Sequence, residues 1–274
     1  MVSTQVVGIL GGMGPAAGAD FVRLFVQACA QQMRARGEPV RDQSFPEHWL
    51  AQVPVPDRTG ALLSSAENGA HQPLEPMLQA LGRLAALGSR TVAIACNTAH
   101  AWHARLQERF PQVELLHMAR ETAQHLAAQG AGEVALMATE GTYRIGLYEQ
   151  ALAEAGLGCH VPSEDERRTI ARGIFEGVKA GDMALAERCF SEVALRLAER
   201  HGPVTIIMGC TEVPLGLAGS PAVAGLRLVD PAQVLAGGGG APRGAAPGAR
   251  GAPRGGAPPP RRRAPGGGRV AGGG

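Results

Sequence analysis

Residues Thr91–Val92–Ala93–Ile94–Ala95–Cys96–Asn97–Thr98 read as one buried strand that ends in a thiol and turns into a helix. Five successive apolar or β-branched residues fit a strand covered on both faces, as in a parallel sheet. The polar residues after Cys96 open a helix expected over residues 97–109. The same plan returns 114 residues later in Val204–Thr205–Ile206–Ile207–Met208–Gly209–Cys210, followed by Thr211 and Glu212. Two strand ends, each with a thiol and a threonine close behind, point to two similar half-structures facing one site.

The flanking segments keep this alternation. Val6–Leu10 predicts a first strand, and Gly11–Gly12–Met13–Gly14–Pro15 the turn after it. Residues 16–36 follow as a helix with Phe21, Leu24, Phe25 and Ala28 on one side. Residues 37–60 are polar, proline-rich and irregular. Further helices are expected over 73–87, 119–128, 143–155, 164–180 and 182–200, and further strands near 113–116, 134–137, 204–208 and 226–229. Asp230–Pro231 is a good start for a last helix. Strands alternating with helices give an α/β fold with mainly parallel sheets. The expected domains are residues 1–112 together with about 209–236, and residues 113–208. From 237 to 274, 15 residues are Gly and seven are Pro. No core can form from that composition, so a disordered tail is expected. It reads as a solvated extension, or as the product of a shifted reading frame, rather than as an RNA tether.

Charge narrows the partners. Residues 237–274 hold seven of the 26 basic residues and none of the 24 acidic ones, so residues 1–236 carry −5. A body of that charge has no general attraction for nucleic acid. No segment reads as a signal peptide or approaches the length of a membrane span. Five cysteines without framework spacing predict free thiols and a cytoplasmic setting.

Several motifs bear on chemistry. Gly12-x-Gly14-x-x-Ala17 loosely fits a dinucleotide fingerprint. Pro15 interrupts it, and no strand ending in an acid is evident about 20 residues on. A tight turn that brings backbone close to a small ligand is the preferred reading. A thiol at a strand end and helix start sits where α/β sheets bind ligands. The helix dipole there is expected to lower its pKa from about 8.5. The same N–H groups bind carboxylates, with Asn97, Thr98 and Thr211 as added donors and Glu212 as a proton acceptor. Two facing thiols suit removal of a proton from carbon on one face and its return on the other, with no metal or organic cofactor. A redox disulfide would need the two Cα atoms within about 7 Å, leaving no room for a substrate. Arg58 suits bidentate carboxylate recognition. Lys179 reads as a helix C-terminal cation. His100 and His103 have no third ligand and read as supporting residues rather than as a metal site.

These motifs together resemble the aspartate/glutamate racemase family, the cofactor-independent amino-acid racemases. The resemblance rests on Gly11–Pro15, Pro56–Asp57–Arg58–Thr59, Ala95–Cys96–Asn97–Thr98–Ala99–His100, Ala138–Thr139–Glu140–Gly141–Thr142 and Gly209–Cys210–Thr211–Glu212. It implies two similar Rossmann-like or flavodoxin-like domains with the site in the cleft between them, commonly in a homodimer. Cys96 and Cys210 would be the acid/base pair. Asn97, Thr98, the backbone of Ala99 and Thr211 would hold the α-carboxylate. Arg58 and Lys179 would bind a side-chain carboxylate, which changes the reading of Lys179. Gln52 and Met13 would contact substrate, and Glu212 and Thr139 would support the site. The substrate implied is a small dicarboxylic amino acid, aspartate before glutamate, because Glu212 replaces the His that glutamate-type members usually carry after that Thr. Related two-cysteine enzymes (hydantoin racemase, maleate isomerase, arylmalonate decarboxylase) and a non-catalytic amino-acid-binding protein are the alternatives. Members usually end in a helix after the Asp-Pro, whereas here Leu235–Ala236 runs into glycine.

Overall fold

In this computed structural model the residues described are 6–64, 72–239 and 272–274. The first half contains β1 (Val7–Gly11), α1 (Pro15–Ala35), β2 (His48–Gln52), α2 (Arg58–Leu63), α3 (Leu74–Ala86), β3 (Thr91–Ile94), α4 (His103–Arg109) and β4 (Glu114–Leu115). The second contains α5 (Met118–Ala128), β5 (Glu133–Ala138), α6 (Glu140–Arg144), α7 (Leu147–Glu154), β6 (Gly158–His160), α8 (Glu164–Arg172), α9 (Met183–His201), β7 (Thr205–Gly209), α10 (Glu212–Leu217), β8 (Arg227–Val229) and α11 (Pro231–Gly239).

Among the described residues the strands form two four-stranded sheets, in the orders β2-β1-β3-β4 and β6-β5-β7-β8. Every pairing is parallel. The two sheets are therefore one topology used twice, with β3 and β7 in corresponding places. Parallel strands need helical crossovers, which cover both faces and make the strands apolar throughout. β3 shows this directly: Val92 and Ile94 pack with Leu81, Leu84 and Leu106, while Ala93 packs on the other face with Ile9, Phe21 and Phe25. In the second sheet, Ala135 and Met137 meet Phe190 and Val193, and Val134 and Leu136 meet Tyr148 and Leu152.

Three expectations about domain membership are corrected. The strand near Val113, assigned to the second half, is β4 and pairs with β3 in the first sheet. Val113 and Leu115 complete the core that holds Trp102 and Leu106. The strand at 226–229, assigned to the first half with residues 209–236, is β8 and pairs with β7. The short α10 crossover returns the chain to the sheet it has just left. The crossing back is made by α11, whose Ala232, Leu235 and Ala236 are buried with Phe21 and Phe25 of α1. α11 also extends to Gly239, past the boundary expected at 237. A terminal helix is present after all, because Leu235 and Ala236 have an apolar groove to fill. The rest of the glycine-rich segment, residues 240–271, lies outside the described residues.

Two elements depart from the sequence reading. Residues 48–52, read as irregular, form the edge strand β2, with Leu50 and Ala51 against the core on opposite faces. β2 ends in Gln52, not in an acid. The helix expected over 164–180 stops at Arg172. It continues as a π-turn, Gly173–Gly177, and a 3-10 turn, Val178–Ala180. The glycines explain the change. A Cβ on Gly173 would lie 2.6 Å from Phe190, and one on Gly177 2.8 Å from the Cβ of Ala186, so this segment lies closer to α9 than a side chain permits.

Candidate active site

In each sheet the chain runs from its central strand to one side and then returns to the other. The carboxyl ends of β1 and β3, and of β5 and β7, therefore flank a switch point, where open α/β sheets leave a crevice. The segments leaving these four strands carry Met13, Cys96, Thr139 and Cys210. All four residues line one cavity. The loop after β1 comes close enough because Gly12 has φ of +92° and because a Cβ there would sit 2.1 Å from the Val53 carbonyl.

Both thiols are buried. Burial pushes the Cys96 thiol up, and the Arg58 guanidinium and the Ala99 N–H offset this in part. Cys210 donates to Oε2 of Glu212 at 3.0 Å. Burial, then the Glu212 charge, hold its thiol well above the ordinary range. The lowering expected from the helix N-termini is present only through the N–H groups of Ala99 and Glu212, and burial outweighs it. The segment after Cys96 is a 3-10 turn, Thr98–Trp102, and α10 is six residues long and starts with an acid. Neither dipole matches the cost of burying a thiolate.

Around the thiols stand polar groups of two kinds. Arg58 donates through Nη1 to the carbonyls of Val55 (3.1 Å) and Pro56 (3.2 Å), and through Nη2 to that of Met13 (2.5 Å). Carbonyls fix its guanidinium without neutralising it, and its buried Nε has no partner among the described residues. Lys179, in contrast, lies 3.8 Å from Oε1 of Glu212, with its ammonium 5.0 Å from the centre of the Phe175 ring. Thr211 also donates to Oε2 of Glu212, at 3.0 Å. Asn97 accepts a hydrogen bond of 2.5 Å from the Tyr148 hydroxyl at Oδ1, while its buried Nδ2 has no partner among the described residues. The hydroxyls of Thr98, Thr139 and Thr142 form a triangle with sides of 2.8, 3.1 and 3.0 Å, joining the first half to the second.

The sequence of the Asp/Glu/hydantoin racemase family matches residues 10–237 of this chain. The chain belongs to this family. Solved structures with the same fold include Picrophilus torridus aspartate racemase, at 24% identity and a TM-score of 0.68, covering 85% of this chain and 91% of that one. Another is a putative Asp/Glu racemase from Yersinia pestis, at 21% identity and a TM-score of 0.68, covering 86% and 97%. Among curated sequences, a glutamate racemase of Pseudomonas aeruginosa (strain UCBPP-PA14) is 31% identical over 134 residues, or 46% of this chain and 47% of that protein. The broad specificity amino-acid racemase RacX of Bacillus subtilis (strain 168) is 22% identical over 207 residues, covering 76% and 85%. The match spans about half the length of the glutamate racemases.

Within this racemase-family fold, Met13, Arg58, Cys96, Asn97, Thr98, Thr139, Lys179, Cys210, Thr211 and Glu212 converge on the cavity. Two expected contacts lie elsewhere. Gln52 donates to the Pro15 carbonyl at 2.9 Å and abuts Gly18, which fixes the start of α1. Ala99 is fully buried and is not among the residues that line the cavity. His100 braces the same turn. Its Nδ1 meets the carbonyls of Cys96 (2.9 Å) and Asn97 (3.1 Å), and its Nε2 accepts the Met118 N–H at 3.1 Å. His103 meets the Leu115 carbonyl at 2.8 Å. Asp57, Thr59 and Phe175 also line the cavity, and sequence reasoning passed over them. Asp57 had a signal, since it caps α2 through the N–H groups of Thr59 and Gly60 at 3.0 Å each. Phe175 had none, because only the π-turn brings it round.

Proposed function

We propose that this chain is an aspartate racemase, or an aspartate/glutamate racemase, that works without pyridoxal phosphate. The observation that carries this reading is that Cys96 and Cys210 open on one cavity from corresponding positions of two like sheets. One thiolate takes the Cα proton, leaving a carbanion-like species whose charge spreads into the α-carboxylate. The other thiol gives its proton to the opposite face. The first cysteine ends as thiol and the second as thiolate, so the next turnover runs in reverse or after proton exchange with water. The weak Cα acid demands stabilisation of the developing charge, for which the Asn97 amide, Thr98 and Thr211 are the donors at hand. Arg58 and Lys179 supply positive charge for a second carboxylate, which favours a dicarboxylic amino acid. A cytoplasmic enzyme suits five free cysteines. A homodimer is part of the same proposal.

Incubation with L- and D-aspartate and with both glutamates in deuterated water tests this. The expected result is deuterium at Cα together with loss of optical rotation, fastest for aspartate. No deuterium from any of the four would overturn the reading. Cys96→Ala and Cys210→Ala should each lower racemisation by about a thousandfold or more, the scale of a lost acid–base group. Wild-type rates in either variant would exclude a two-base mechanism.

A further inference from the structure

We infer that Tyr148 is a positioning residue that locks the Asn97 amide with its NH2 group toward the substrate. This rests on the reading of the cavity as an amino-acid site. A terminal amide has two nearly isosteric orientations, one presenting donors and the other an acceptor. Only the first attracts a carboxylate; the second would aim the Oδ1 lone pairs at it. The turn around Asn97 leaves this choice to whatever meets the amide from outside.

Tyr148 makes the choice. It is fully buried in α7, in the second half, and its hydroxyl donates to Oδ1 of Asn97 at 2.5 Å. Burial raises the phenol far above its ordinary range, so it keeps its proton at any working pH, and in this structure that proton goes to Asn97. With Oδ1 taken, Nδ2 is turned away from the tyrosine. It is buried, unpartnered among the described residues, and belongs to a residue that lines the cavity. A buried N–H left without an acceptor is costly unless a ligand supplies one. The unsatisfied amide and the short hydrogen bond behind it are thus two sides of one arrangement. Ring packing with Leu136 and Leu152 fixes the hydroxyl independently of the cavity.

The test is Tyr148→Phe, which keeps the ring and removes the donor. The expected result is a kcat/KM for aspartate lowered about tenfold or more, on the scale of a donor lost to a charged group, with a lower kcat as part of it because the same amide faces the developing charge. A merely structural tyrosine would lower the melting temperature and leave kcat/KM alone, and that result would overturn the inference. In a cycle with Asn97→Ala, the double variant should be no worse than Asn97→Ala alone, because Tyr148 acts through that amide. Effects that simply add would also overturn it. Two arms need no activity. The side-chain amide of Asn97, followed by nitrogen-15 NMR, should give one slowly exchanging pair in the wild type and a broadened or shifted pair in Tyr148→Phe; an unchanged pair counts against the lock. If Tyr148→Phe does not fold, fluorotyrosine labelling serves, since the chain has two tyrosines. The Tyr148 signal, assigned as the one retained in Tyr143→Phe, should move in Asn97→Ala; a signal that stays put overturns the contact. Absence of racemisation in the wild type would refute the proposed function and still leave the amide and fluorine signals to decide on Tyr148.

Discussion

Cys96 and Cys210 occupy matching places but face unlike neighbours. A guanidinium stands beside the first, and a carboxylate accepts a hydrogen bond from the second. Both thiols are held above the ordinary range, so at neutral pH the free protein carries them protonated. Raising the pH creates the thiolate. The kcat/KM for aspartate should therefore climb by about tenfold per pH unit from 7 to 9. A flat profile over that range, followed by chiral chromatography, would mean that the thiols titrate lower. Arg58→Ala should raise KM for aspartate by about tenfold to a hundredfold, since charge-assisted hydrogen bonds are worth about 1.5–3 kcal/mol. The same substitution should affect a monocarboxylic amino acid such as alanine much less. An equal effect on both would detach Arg58 from the second carboxylate. The two cysteines, Arg58 and Asn97 were legible because strand-end and loop positions leave a local pattern. Tyr148 was not. It sits in an ordinary helical context, and its partner is 51 residues away.

The 3-10 turn after Cys96 is held by a cluster of rings from different elements. His100, His103 and His117 have centroids 4.8–5.9 Å apart. Burial lowers His100 to about 4 and His117 to about 3. A base whose folded pKa is depressed contributes stability above its unfolded value, near 6.5, and loses it as pH falls through the folded value. Asp230, which caps α11 and is raised by burial to about 6, has the opposite sign: it disfavours the fold above that pH. The histidine shifts are larger together, so stability should fall by about 2–4 kcal/mol between pH 7 and pH 4, as measured by urea unfolding. Replacing His117 by Asn should shrink that loss, and replacing Asp230 by Asn should deepen it. The π-turn is the other informative element. Phe175 is exposed yet lines the cavity and carries the Lys179 ammonium. Phe175→Ala should leave the melting temperature almost unchanged while raising KM about threefold to tenfold, within the range of a partly desolvated cation–π contact. Long helices and fully buried strands were legible from periodicity alone. β2 was not, because an edge strand half open to water alternates with polar residues, and here prolines flank it. The π-turn was hidden because close packing of Gly173 and Gly177 against α9 set it, and helical periodicity carries no record of that contact.

The two sheets share an order, and the chain closes by laying α11 over α1 and beside α5. Leu235 is fully buried there. Leu235→Ala should cost about 2–5 kcal/mol, seen as a melting temperature lower by roughly 5–15 °C. A change below about a degree would mean that α11 contributes little to the core. Among the described residues, no helix is long and apolar enough to cross a membrane. The repeat itself was visible in the sequence through its cysteine strands. The seam between halves was misplaced, because a strand of two residues and one of three say little about which sheet will take them. The unequal neighbours of the thiols have a further consequence for the proposed racemisation. Mirror-image amino acids have equal free energies, so their equilibrium constant is unity whatever the protein does. Arg58 on one side and Glu212 on the other can make the forward and reverse turnover numbers differ, and the Michaelis constants with them. The ratio kcat/KM must nevertheless be the same from either enantiomer, and a variant such as Glu212→Gln must preserve that equality even as it redistributes the two factors.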